Sequence, residues 1–133
     1  MSESLVTLAS PRGTLVFKET AATSTDPDVS GNFNVFNKQA AVIYGIRVDA
    51  SSNSGEDVYL CVFDAAANDG TSATVGTTDP DILVKCLAGK TIEMLIPQGV
   101  TFTNYVDIAV KQEAGTAGST APTGTVAVTL IGA

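Results

Sequence analysis

The sequence predicts an all-β protein: an antiparallel β-sandwich or jelly-roll-like domain of about seven or eight strands, with an extended N-terminal arm. Three observations carry this. Short segments alternate side chains with period two, as half-buried strands do. Clusters of Gly, Pro, Asn, Asp, Ser and Thr separate them. No segment carries the 3.6-residue periodicity of an amphipathic helix; the one helix-friendly piece, Asp64–Asn68, spans about one turn.

In order, residues 1–34 read as an N-terminal arm and loop. Ser4–Ala9 (SLVTLA) and Thr14–Lys18 (TLVFK) are short candidate strands, broken at Pro11–Gly13 and followed by the polar loop ETAATSTDPDVSGN. Two apolar pieces on a polar connector are what an arm that orders on a neighbouring molecule would need. The competing reading is an ordinary edge strand with a surface loop. Residues 35–133 form the sandwich domain, entered through the apolar stretch that begins with Phe33, Val35 and Phe36.

The centre of the chain is Ala41–Ala50 (AVIYGIRVDA) followed by Asp57–Asp64 (DVYLCVFD). Strict alternation puts Val42, Tyr44, Ile46 and Val48 on one face of the first strand, with Ile43, Gly45, Arg47 and Asp49 on the other. The second strand is apolar on both faces, Val58, Leu60 and Val62 against Tyr59, Cys61 and Phe63. That pattern fits a central strand covered on both sides, or one whose outer face meets a partner. The loop 65–80 is long enough to have a function of its own. Then come Ile82–Ala88, a turn at Gly89, the strand Thr91–Ile96, and a turn at Pro97-Gln98-Gly99. In Tyr105–Gln112, Val106, Ile108 and Val110 point inward and Tyr105, Asp107, Ala109 and Lys111 outward. A second polar loop, 113–124, precedes Thr125–Ile131, with Val126, Val128 and Leu130 on one face.

Length and composition narrow the function. The 133 residues make one domain able to bury its own core. A net charge of −7, with no cluster of Lys and Arg, argues against a nucleic-acid partner. No apolar run approaches a membrane span, and the N-terminal MSESLVTLASPRG lacks the pattern of a signal peptide, so assembly in a cytoplasm is expected. Cys61 and Cys86 each sit in an apolar strand and read as buried thiols, a disulfide between adjacent strands being the alternative.

Catalysis has little to stand on. The chain has no histidine, which removes Ser-His and Cys-His nucleophile pairs, and no phosphate-cradling or dinucleotide motif. A two-carboxylate glycosidase needs aromatic stacking platforms, and the chain has no Trp. The expectation is a non-enzymatic protein with no cofactor. Asp64, Asp69, Asp79 and Asp81 bracket the first long loop and supply oxygen ligands of the kind calcium takes, without EF-hand spacing. Their plainer role is as turn formers: TDPD occurs at Thr25–Asp28 and again at Thr78–Asp81, and Asp-Pro-Asp initiates turns. Arg47, Lys85, Asp107 and Lys111 punctuate the apolar strands and read as solvated sheet surface, or as the edge of a subunit interface.

The C-terminal half carries a resemblance. Leu87-Ala88-Gly89, the run Ile96-Pro97-Gln98-Gly99-Val100-Thr101-Phe102, then Ile108-Ala109-Val110 and a closing short strand resemble small structural proteins of tailed-bacteriophage virions, among them capsid decoration (cement) proteins. It covers roughly residues 57–133 and rests on turn and core motifs. It implies a virion component assembled in the host cytoplasm. Such a protein decorates and stabilises a capsid by clamping neighbouring major capsid subunits, and self-associates as a dimer or trimer. It implies no catalytic residues. The expected contact residues are Leu5, Val6, Leu8, Leu15 and Phe17 of the arm. Alternatives are a head–tail connector, tail or fibre module, and, third, a carbohydrate-binding jelly roll. Sugar sites present aromatic residues at loop tips, and the two long loops contain none.

Overall fold

The computed structural model describes residues 15–19, 41–66 and 73–133. Among these, the chain forms seven strands: β1 (Leu15–Glu19), β2 (Ala41–Ser52), β3 (Val58–Ala65), β4 (Ile82–Cys86), β5 (Thr91–Phe102), β6 (Tyr105–Lys111) and β7 (Thr125–Gly132). They build two antiparallel sheets, a four-stranded one in the order β1-β7-β2-β5 and a three-stranded one in the order β4-β3-β6. This is the β-sandwich that the alternating strands predict.

The core lies between the sheets. Ile43, Ile46, Val48, Val126, Val128 and Leu130 from the larger sheet meet Val58, Leu60, Val62, Val84, Val106 and Val110 from the smaller. Each such side chain, fully removed from water, contributes about 1.5–3 kcal/mol. β-branched residues dominate, and their stiff χ1 suits the pleated surface. β3 is the central strand of its sheet and is covered on both faces, one of the two arrangements that its doubly apolar pattern allows. Cys61, Phe63 and Ala65 form a second cluster with Ala109 of β6 and with Ala73 and Val75 of the first long loop.

Three expectations are corrected. In β2 the inward set is Ala41, Ile43, Ile46, Val48 and Ala50, so Val42 and Tyr44 do not share a face with Ile46 and Val48. The register shifts between Ile43 and Gly45 against both neighbouring strands, a bulge at Tyr44 that reverses the alternation. The same irregularity removes the turn expected at Pro97-Gln98-Gly99. β5 continues through it as one strand, with four residues, Ile96 to Gly99, opposite Tyr44 alone and without register partners on β2. Pro97 is accommodated because it lies in this unpaired stretch of β5, the edge strand among the described residues, so its missing N–H breaks no ladder. Gly99 has φ +74° and lies against Val42 and Tyr44, where a Cβ would collide with both side chains.

The third correction concerns β6. Asp107 and Lys111, expected in solvent, are fully buried, as is Ala109. The outer face of the smaller sheet is roofed by the two long loops. Arg47 and Lys85 do lie at the surface, Arg47 paired with Glu93 at 3.0 Å and Lys85 with Asp57 at 3.5 Å. The cysteines are free and buried. They point to opposite faces of neighbouring strands, Cys61 opposite Leu83 and Cys86 opposite Val58, so no disulfide joins them.

Candidate interaction surface

The loops that the sequence marks as functional are braced by their own polar side chains. Lys111 ends β6 with its stem buried, and its ammonium donates to the carbonyl oxygens of Thr116, Ala117 and Gly118 at 2.9, 3.1 and 3.1 Å. One cation thus gathers three consecutive carbonyls and folds the second long loop back over the sheet. Glu113 accepts from Thr120 N–H at 3.1 Å, and Gln112 donates its side-chain amide to Ala121 O at 2.7 Å. Thr116 in turn donates to Asp79 of the first long loop, joining the two loops into one roof. Beneath it, burial pushes the Cys61 thiol up from its ordinary value, with Lys111 pulling weakly the other way. A thiol so placed is a packing group rather than a nucleophile.

Of the four calcium candidates, Asp69 lies outside the described residues. Asp64 closes the two-residue connection between β5 and β6: its carboxylate accepts from Thr103 N–H, Thr103 O–H and Asn104 N–H at 3.1, 3.2 and 2.8 Å. Asp81 accepts from the backbone N–H of Asp64 at 2.7 Å, and Asp79 accepts from Thr116. All three therefore act within the fold as acceptors: Asp64 and Asp79 for turn and loop donors, Asp81 for a β3 backbone N–H. Among the described residues no group of three or more His, Cys, Asp or Glu side chains is placed to hold a metal ion. At the opposite end of the sandwich, the buried Asn53 donates to Glu56 O at 3.0 Å and accepts from Gly124 N–H at 2.6 Å. Glu56 accepts from Thr123 N–H at 3.0 Å and Thr123 O–H at 2.7 Å. These bonds from Thr123 hold Glu56 below the ordinary carboxylate value.

Of the arm residues, Leu5, Val6 and Leu8 lie outside the described residues. Leu15 stands opposite Gly132 in the register of β1 with β7, and Phe17, half-buried, packs against the main core. Val16 of β1 is exposed, at 59%. It belongs to a row that crosses the outer face of the larger sheet: Val16, Ile131, Gly45 and Leu95 stand side by side on β1, β7, β2 and β5. Leu95 is 70% exposed. The next outward row is polar: Lys18, Thr129, Arg47 and Glu93. The sequence reading missed both rows, because cross-strand register alone assembles them from residues far apart in the chain. The outward position of Val16 beside the inward Phe17 was the one local signal.

The described surface thus has two characters. The smaller sheet carries a braced polar roof, and the larger sheet presents an apolar row at its open face and β1 at its edge. No helix among the described residues is long and apolar enough to cross a membrane. No protein-family model and no curated protein sequence matches the chain.

Proposed function

We propose that the protein is a non-enzymatic structural component of a tailed-bacteriophage virion that decorates the capsid and stabilises it by clamping neighbouring major capsid subunits. The sequence resemblance over residues 57–133 supports this reading. The observation that carries it furthest is the placement of β1. It is a five-residue edge strand whose outer backbone faces no other strand among the described residues, and in sequence it follows, after the Pro11–Gly13 break, the apolar N-terminal segment bearing Leu5, Val6 and Leu8. An open edge with an apolar leader can add a strand to a neighbouring sheet, which gives affinity through main-chain hydrogen bonds. The braced loops suit the same role. Carboxylates at Glu56, Asp57, Asp64, Asp81 and Glu113 accept backbone N–H groups, so the domain presents a rigid surface that loses little freedom on binding.

The test is co-sedimentation of the purified chain with expanded heads that lack it. Saturable binding at a copy number matching the symmetry axes of the shell is the expected result. Absence from heads, with labelled protein found at one vertex or on tails, would move it to the connector or tail.

A further inference from the structure

We propose that two copies of the chain pack face to face through the outer surface of the four-stranded sheet, about a twofold axis parallel to the strands. The argument rests on the two rows described above and does not depend on the virion reading. A twofold axis along the strands, midway between β7 and β2, superposes each cross-strand row on its counterpart in the second copy with the strand order reversed. The apolar row Val16, Ile131, Gly45, Leu95 then meets Leu95, Gly45, Ile131, Val16 of the other copy. The exposed knobs at its two ends, Val16 and Leu95, cover one another. The centre is flat, because the Ile131 side chain lies against Gly45, 3.5 Å from where a Cβ would stand.

The polar row decides the orientation. Reversal places Lys18 of each copy over Glu93 of the other and Arg47 over Thr129. Glu93 already carries Arg47 at 3.0 Å within its own sheet, so each interface end becomes a Lys–Glu–Arg cluster with opposite charges adjacent. Turning the second copy about an axis along the rows instead lays each apolar residue on itself and loses the Lys18–Glu93 match. The face is also locally neutral: Lys18 and Arg47 balance Glu93 and Asp49, on a chain whose net charge is −7. Two copies can therefore meet here without the repulsion that the acidic remainder would impose. The four strands present about 600 Å² on this face at standard strand spacing. Twice that area sits at the lower end of specific interfaces, so the dimer is reversible and concentration-dependent. Sheets stacked this way align within about 30°.

Sedimentation velocity on the full chain over a concentration series tests the proposal. The expected result is a monomer–dimer equilibrium that Leu95→Asp shifts to monomer, while Leu87→Asp, at an exposed leucine outside the row, leaves it unchanged. Lys18→Glu and Glu93→Lys should each weaken self-association by on the order of tenfold, since each homodimer then opposes like charges twice. An equimolar mixture of the two variants should recover dimers, because the heterodimer restores both attractive contacts. Recovery on mixing also shows that neither variant fails merely by misfolding. A wild-type chain that stays monomeric, forms trimers, or responds equally to Leu87→Asp and Leu95→Asp overturns the proposal. So does a mixture that does not recover.

Discussion

Lys111 shows how much one side chain can organise. In sequence it closes a cleanly alternating strand at a position that faces outward, where a lysine ordinarily extends its charge into water. Here its stem is buried and its three donors are met by three consecutive carbonyls, so the charge is neutralised by dipoles rather than by solvent. Lys111→Met keeps the stem and removes the donors. Three carbonyls lose a charged partner together, and hydrogen bonds to a charged group contribute a net of about 1.5–3 kcal/mol each. Because part of the loop is exposed and its carbonyls can hydrate, the net loss expected is about 2–4 kcal/mol rather than the full sum. Urea unfolding measures it, and limited proteolysis should show new cleavage within residues 112–124. If stability and cleavage are both unchanged, the lysine does not hold the loop. Asn53 works on the same principle, satisfying with one amide a donor and an acceptor from two different connections.

The strands show what local pattern encodes and where it stops. β3 and β7 were legible in full, because their alternation reports directly which layer covers each face. β2 was legible as a strand and misread in its facing, since one extra residue at Tyr44 inverts the pattern. β5 was cut short at Pro97 because Pro-Gln-Gly reads as a turn, and only its unpaired place at the sheet edge lets the strand continue. The outer residues of β6 were placed in solvent because their cover comes from loops, whose location no strand pattern contains. The arm residues were chosen by position, whereas the exposed apolar row depends on register among four strands. The bulge also makes a test. Gly99 and Gly115 have nearly equal positive φ, +74° and +77°, but Gly115 has open space where a Cβ would stand, while at Gly99 the Cβ would meet Val42 and lie 2.7 Å from Tyr44 Cε1. Gly115→Ala should therefore cost only the left-handed backbone strain, about 1 kcal/mol. Gly99→Ala should add an overpacking term of about 1–3 kcal/mol. Equal losses for the two variants in denaturant unfolding would mean that the bulge relaxes freely around a side chain.

For the whole molecule, the question is how an acidic chain responds to acid. At neutral pH the net charge of −7 repels itself, and protonating carboxylates relieves that repulsion. Against this, Asp49, Glu56 and Glu113 are held below their ordinary values: Asp49 first by Ser51, Glu56 by the Thr123 backbone, Glu113 by Thr120. A carboxylate whose folded value is depressed contributes stability above its unfolded value, and that contribution is lost as pH falls through the folded value. The two effects act in different windows. Repulsion between surface charges is screened beyond about 8 Å at physiological salt and changes gently. The braces are direct contacts of about 3 Å, and their loss begins only below the ordinary values of 3.8 for Asp and 4.5 for Glu. The urea midpoint should accordingly stay level or rise slightly from pH 7 to about 5 and then fall below about 4.5. Added salt should flatten the rise and leave the fall. Glu56→Gln keeps an oxygen for Thr123 but cannot titrate, so its acid limb should be shallower than that of the wild type. A midpoint that falls steadily from pH 7, or a Glu56→Gln limb as steep as the wild type, would mean that overall charge, not the turn braces, governs acid stability.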